Sequence, residues 1–505
     1  MSNETPQRSQ TKFEYIVLLL LIGFFAYLPS LFGPFIWDDE DFVFANTYVR
    51  EFRLDKFFTA QAIEGRGKQS NYYRPIQLSI YSTIYKVVGP NPLVFHAVSI
   101  IAHFAAATVI FLLFFQLSRS YLQAFLISVI FLVHPVQTEA VSYISGFSDS
   151  LFVLFGILSL LLYRQKRTAA YSLSAVFFLL SLLSKETGIV FLGIIVALHF
   201  IEFRRHSLIR LLPFFMLAAV YLWFHFTFIN VSPLESTWAN SVYAHSIFTR
   251  VFTFIQNLWL YFSLLVFPKE LFMERDFTVS VISSPFTWQV LAVVLLNVLA
   301  ITLLYFRRNS KYFQLMLLSY GCFYTAFAPY TGIFLINGIF YEHFLYLPLV
   351  FFFSFFIFSV NSFKKPAIII MVVIIVAFAL RSYMRQWEWI DSVRFYSQTL
   401  EHAPNSVRVR NGLAIAYAEK GEYDQAIKEY KLAIQEDPTV PNMYHNLANV
   451  YLAQEKYQEA EKLYLQAIKV DPHFYYSYQS LISLYQKTDQ IEKEKALRQK
   501  IAEKF

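Results

Sequence analysis

Residues 15–42 read YIVLLLLIGFFAYLPSLFGPFIWDDEDF: an unbroken apolar run, a short Pro and Gly segment, then four consecutive acids, Asp38, Asp39, Glu40 and Asp41. The run is long enough to cross a ~30 Å hydrocarbon core, so the acids stand where the chain leaves the bilayer. Similar runs recur through the first 380 or so positions. The chain is 56% apolar with a formal charge of +7. Its basic residues gather in particular loops, which argues for membrane orientation and against a nucleic-acid surface. One cysteine, Cys322, excludes a disulfide framework or a cysteine metal site within the chain.

Apolar periodicity predicts about eleven spans, near 13–32, 92–116, 121–133, 150–163, 169–184, 188–202, 211–229, 287–306, 312–330, 344–360 and 366–383. Segment 251–267 reads as a re-entrant or interfacial helix, because a full span there would break the charge parity. Arg8/Lys12, Arg119, RQKR at 164–167, RRH at 204–206, RRNSK at 307–311 and KK at 364–365 flank alternate loops. The positive-inside rule assigns those loops and the N-terminus to the cytoplasm. Of the acids before Arg381, only Glu4, Glu14 and Glu202 then fall near the inner side. The first apolar run has no small-residue cleavage pattern and is expected to be retained, and IAEKF carries no eukaryotic retention signal, which favours a bacterial inner (plasma) membrane.

The composition changes near Trp387, predicting a membrane domain over 1–383 and a water-soluble domain over 384–505. Pro404, Pro438 and Pro472 recur every 34 residues, as do Leu413/Leu447, Ala414/Ala448, Tyr417/Tyr451, Ala426/Ala460, Tyr430/Tyr464 and Ala433/Ala467. This pattern resembles the tetratricopeptide repeat. Small Ala lets two helices approach, Tyr fills the gap between units and Pro stops the second helix. Glu494 and Arg498 take packing slots in the third copy, as at a solvated capping end. The expected architecture is all-α: a polytopic bundle followed by an α-solenoid that binds polypeptide or serves as an assembly scaffold.

Several outer-face segments carry chemistry-bearing residues. WDDED could act as a general base, hold Mg²⁺ or Mn²⁺, or be a solvated acidic loop. Arg74 in YYRPIQLSIY suits a bidentate phosphate contact. HPVQTEAVSYISGFSDS supplies His134, Glu139 and Asp149; LLSKETG supplies Lys185 and Glu186; YEHFLYLP supplies Glu342 and His343. Each of the last three also admits a capping or snorkelling reading.

In fixed order, FIWDDEDFV, YYRPIQLSIY, HPVQTEAVSYISGFSDSL, LLSKETGI, FPKEL, YEHFLYLPL and the repeats resemble the transmembrane and tetratricopeptide-repeat-containing (TMTC) O-mannosyltransferase family, of the GT-C class of membrane glycosyltransferases. The resemblance implies a polyprenyl-phosphate-linked sugar donor, mannose or another hexose, and inverting transfer to protein Ser/Thr hydroxyls on the outer face. It implies Asp38 as base with Asp39 as its partner. It also implies Arg74, Lys185 and His343 as contacts to the donor phosphate, with His134, Glu139, Asp149, Glu186 and Glu342 lining the site. His343 departs from the Arg often found in the family's matching segment. Metal dependence stays open. Transfer to a lipid or surface polysaccharide is a second reading, and a non-catalytic scaffold or transporter a third. A transporter would carry ionisable residues along a pathway inside the spans; here they cluster at span ends.

Overall fold

The computed structural model describes residues 6–66, 70, 72–165, 167–203, 207–229, 242–336, 338–360 and 362–504. Glu4, Lys166 and the basic cluster at 204–206, which the orientation reading used, lie outside them. The described residues are helical and irregular, without a strand. They divide into two compact units, Met1–Ile390 and Asp391–Phe505. The helix Lys365–Ile390 runs straight through residue 383, where the sequence reading placed its domain boundary.

In the first unit six segments are long and apolar enough to cross a membrane: Gln10–Phe32, Pro92–Ser118, Ile144–Tyr163, Leu208–Phe228, Trp288–Phe306 and Lys365–Ile390. Tyr121–Val133 and Pro135–Ser142 satisfy the same criteria only as a pair, bent by 50°. His134 and Pro135 lie at that bend, and proline cannot continue the first helix's hydrogen-bond ladder. Thr168–Ser184 and Pro348–Ser359 are apolar but shorter. The chain is a multi-pass membrane protein. Segment 251–267 lies on one unbroken helix, Ile247–Val266, with Phe267 as its cap; the helix carries Arg250 and buries Gln256 and Asn257.

The segment between the first two apolar helices is a folded layer. Its short helices Thr47–Arg50 and Leu54–Phe57 and the longer Pro75–Val88 enclose a core of Phe42, Val43, Val49, Phe57, Leu78 and Tyr81. Phe95, Ile144 and Phe147 complete that core. Each large apolar side chain buried there contributes about 1.5–3 kcal/mol. The WDDED residues are thus mounted on a packed support.

The second unit is a run of paired helices: Ser392–His402, Val407–Glu419, Tyr423–Glu436, Pro441–Ala453, Tyr457–Val470, Tyr475–Lys487 and Ile491–Lys504. Ala414, Ala426, Ala433, Ala448, Ala460 and Ala467 are fully buried at the crossings, with Tyr430, Tyr464 and Tyr478 between them. Upstream, Tyr396 and Thr399 are buried in the first of these helices. At the other end Arg498 bonds Glu494 at 2.8 Å on the exposed last helix.

Candidate active site

Neighbouring acids in WDDED have different surroundings. Asp39 is fully buried. Its carboxylate accepts hydrogen bonds from the Ile36 amide at 3.0 Å and, through its other oxygen, from the Ser145 amide at 2.8 Å and the Ser145 hydroxyl at 2.6 Å. Burial pushes its pKa up to about 7 in spite of these donors. Asp39 therefore pins the segment after the first apolar helix to the 143–146 turn. Asp38 is half-buried, and its amide donates to the Tyr143 hydroxyl at 3.2 Å. The preceding Trp37 has φ 57°, a left-handed conformation that costs a bulky residue of order 1–3 kcal/mol and turns the chain sharply before Asp38. Glu40 and Asp41 point elsewhere, to Arg66 at 3.1 and 3.4 Å.

That divergence bears on metal binding. Among the described residues no three His, Cys, Asp or Glu side chains converge as a metal site. The four acids do not form one oxygen cage, because one is turned into the protein and two are paired with Arg66. A cation held by all four acids together, one of the options the sequence left open, does not match these positions.

Cations meet Asp149 and Glu186 nearby. Lys185 Nζ lies 2.7 Å from both carboxylate oxygens of Asp149, and both residues are buried. Burial draws the Lys185 ammonium below its ordinary pKa, and Asp149 opposes that shift. The 185–189 turn sits tightly on its own preceding helix: a Cβ at Gly188 would stand 2.6 Å from the Ser181 carbonyl oxygen. Glu186 accepts the Tyr73 amide at 2.5 Å and faces Arg74 Nε at 3.6 Å. Arg74 is buried, its guanidinium lies 4.5 Å from the centre of the Tyr72 ring, and its Nε has no hydrogen-bond partner. Arg74 also interacts electrostatically with Tyr143, the phenol that bonds Asp38.

Glu139 and Glu342 form the third part. Glu139 receives the Glu342 amide at 3.0 Å on one oxygen and stands 2.6 Å from His343 Nδ1 with the other. Glu342 accepts from the Phe272 amide at 2.8 Å and from Arg275 at 2.9 Å. Arg385, buried on the last helix of the unit, pairs with Glu388 and adds positive charge near both Glu139 and Glu342. His343 interacts with Lys185, Asp149 and Arg74, which joins this group to the preceding one. Burial first, then Lys185 and Arg74, pulls its pKa down to about 3.

Residues 415–455 match a family model described as TPR repeat, and residues 441–474 one described as tetratricopeptide repeat. The chain is 27% identical over 425 residues to a Caenorhabditis elegans protein O-mannosyl-transferase, covering 80% of this chain and 60% of that relative. It is 26% identical to the Drosophila melanogaster protein O-mannosyl-transferase Tmtc1 over 50% of this chain, and 31% identical to the Homo sapiens protein O-mannosyl-transferase TMTC1 over 34% of it. The resemblance is to the TMTC O-mannosyltransferase family. The aligned parts span 60%, 33% and 21% of these relatives' own lengths.

The structure brings Arg74, Lys185, Asp149, Glu186, Glu139, Glu342 and His343 into one electrostatically connected group, with Asp38 joined to it through Tyr143 and Asp39 held on Ser145 two residues along. His134 is placed differently. It is buried, its Nε2 bonds the Leu265 carbonyl at 3.0 Å and its Nδ1 accepts the Val136 amide at 3.3 Å, so it braces the bent pair of helices. Sequence reasoning missed Arg275, Arg385, Tyr143 and Asp276. Asp276 Oδ1 accepts the Ile339 and Phe340 amides at 2.8 Å, fixing the strand of chain that leads to His343. FPKELFMERDF offered Arg275 as a charge near a span end, but nothing in the local pattern pairs it with Glu342.

Proposed function

We propose that this protein is a membrane glycosyltransferase that moves a hexose from a polyprenyl-phosphate donor to Ser/Thr hydroxyls of polypeptide. The O-mannosyl-transferase relatives support the reaction class. The observation that carries the site is the Asp38 amide bonded to the Tyr143 hydroxyl, a phenol that also interacts electrostatically with Arg74, whose buried Nε is unbonded. Asp38 takes the proton of the acceptor hydroxyl as its oxygen attacks the anomeric carbon. The bond from that carbon to the phosphate oxygen breaks, inverting the centre, and the leaving lipid phosphate gains one negative charge. Arg74 and Lys185 meet that growing charge in a buried setting, where charge-assisted contacts are strongest. Asp39 acts by holding Asp38 in place. The repeats supply a polypeptide-binding surface.

The orientation belongs to the same proposal: basic clusters face the cytoplasm, and the site and repeats face outward. The test uses protein in reconstituted membranes and a panel of polyprenyl-phosphate sugars, with and without an unstructured Ser/Thr-rich peptide. Sugar release that requires Asp38 and is stimulated by peptide supports protein transfer. Release indifferent to peptide moves the acceptor to a lipid or polysaccharide, and no release from any donor defeats the enzymatic reading.

A further inference from the structure

His343 has a hydrogen-bond partner that constrains its chemistry. When Glu139 is ionised it only accepts, so with its oxygen 2.6 Å from Nδ1 the ring proton lies on Nδ1. The neutral ring then presents a lone pair at Nε2, which repels a phosphate oxygen and cannot donate to it. Neither partner can readily turn away. The second Glu139 oxygen is held by the Glu342 amide at 3.0 Å, Tyr341 stacks on the imidazole with ring centres 5.1 Å apart, and Phe344 meets it edge-on at 4.9 Å.

The charge around the dyad is nearly closed. Lys185 faces Asp149, Arg74 faces Glu186, Arg275 faces Glu342 and Arg385 faces Glu388. Glu388 is shared, because Arg381 also lies 3.3 Å from it, and Glu139 is the fifth carboxylate of the group. With His343 neutral the five cations and five carboxylates cancel, which leaves no positive charge to spare where a phosphate is to be held. A dianion entering it needs one more positive charge, and His343 is the group that can acquire one by taking up a proton. In the unliganded site burial keeps that imidazole neutral at ordinary pH. An arriving phosphate reverses this balance, and Glu139 supports the resulting cation from the opposite ring nitrogen.

We infer that Glu139 and His343 form a proton-accepting dyad in which binding of an isoprenyl phosphate draws one proton from solvent onto His343 Nε2. One N–H bond forms there, Nδ1–H stays bonded to Glu139, and the new N–H donates to a phosphate oxygen. The proton returns to water when the lipid phosphate leaves. Glu139 is thus a positioning residue, and His343 a phosphate ligand that is charged only while the site is filled. This inference rests on the donor-phosphate reading above.

The test is calorimetric titration of the full chain in detergent with farnesyl monophosphate at about pH 8, where a phosphate monoester is a dianion. It is run in two buffers of different protonation enthalpy. The native protein is expected to take up close to one proton per phosphate bound. His343→Arg, with a permanent cation, is expected to bind within a few-fold of native affinity with uptake near zero. His343→Gln, which donates but cannot titrate, is expected to bind more weakly, also without uptake, and serves if the Arg variant does not fold. Glu139→Gln is expected to reduce both affinity and uptake. Native binding with the same heat in both buffers, or uptake that persists in both His343 variants, overturns the dyad and leaves the donor-phosphate reading standing. No binding of the phosphate by the native protein overturns that reading and the dyad with it.

Discussion

Lys185→Met is expected to destabilise the protein strongly, and adding Asp149→Leu to restore most of the loss. The reasoning starts from the geometry: Nζ is 2.7 Å from both oxygens of a carboxylate whose residue is 2% exposed. Removing the ammonium leaves that carboxylate without its cation in a site with little water. Breaking a buried pair from one side costs about 3–5 kcal/mol, whereas replacing both members with apolar groups of similar volume is often neutral or better. The assay is the unfolding midpoint of native, single and double variants in one detergent, combined as a double-mutant cycle. The coupling should reach several kcal/mol, favouring the double replacement. Sugar transfer should be lost in both variants, because the cation proposed to meet the donor phosphate is gone even where the fold is recovered. A single variant within about 1 kcal/mol of native, at the level of an exposed pair, would refute the claim that this ion pair is desolvated. So would a double variant no more stable than Lys185→Met.

Other expectations follow from the same geometry. Asp38→Asn should lower transfer by about 10²–10⁴-fold, the usual contribution of a general base, with an unchanged unfolding midpoint. Ser145→Ala removes one donor from the buried Asp39 carboxylate and should cost about 1.5–3 kcal/mol of stability, measured by thermal unfolding. Because the folded-state pKa of Asp39 is raised to about 7, the folded protein holds a proton there that the unfolded chain has released. Stability should therefore fall as pH rises from about 4 to 7 and level off above that, and an Asp39→Asn variant should lack this slope. In the repeats, a Cβ at Gly412 would stand 2.3 Å from the Tyr396 ring. Gly412→Ala should cost about 1–3 kcal/mol by overpacking and raise protease cleavage between residues 391 and 505 of the intact chain.

Patterns that repeat along the chain were legible in the sequence. Apolar runs had to be membrane segments because backbone in hydrocarbon must bond to itself and its side chains must be apolar. The 34-residue recurrence of Ala, Tyr and Pro had to be a helical array, since each residue type answers a packing need that returns once per unit. The motifs also named most of the charged residues that the structure groups together. Their pairing was not legible. Asp38 and Asp39 are indistinguishable as letters, yet one is buried against Ser145, a contact spanning 106 positions, while the other stays half-buried. His134 read either as a cap or as a site-lining residue, and its ring caps the bent pair, bonding Val136 and also Leu265, 131 positions away. Arg275 and Arg385 gave no local signal, since a charge near a span end has the same surroundings in sequence whether it snorkels to water or neutralises a distant acid. Sequence by itself determined that the first part of the chain is built from membrane-crossing apolar helices and that a repeat array follows. It predicted about eleven spans, whereas among the described residues six helices, or seven with the bent pair, are long and apolar enough to cross. Tertiary structure decided which acid meets which cation, because periodicity governs burial along one helix, whereas an ion pair depends on distances between helices that only packing sets.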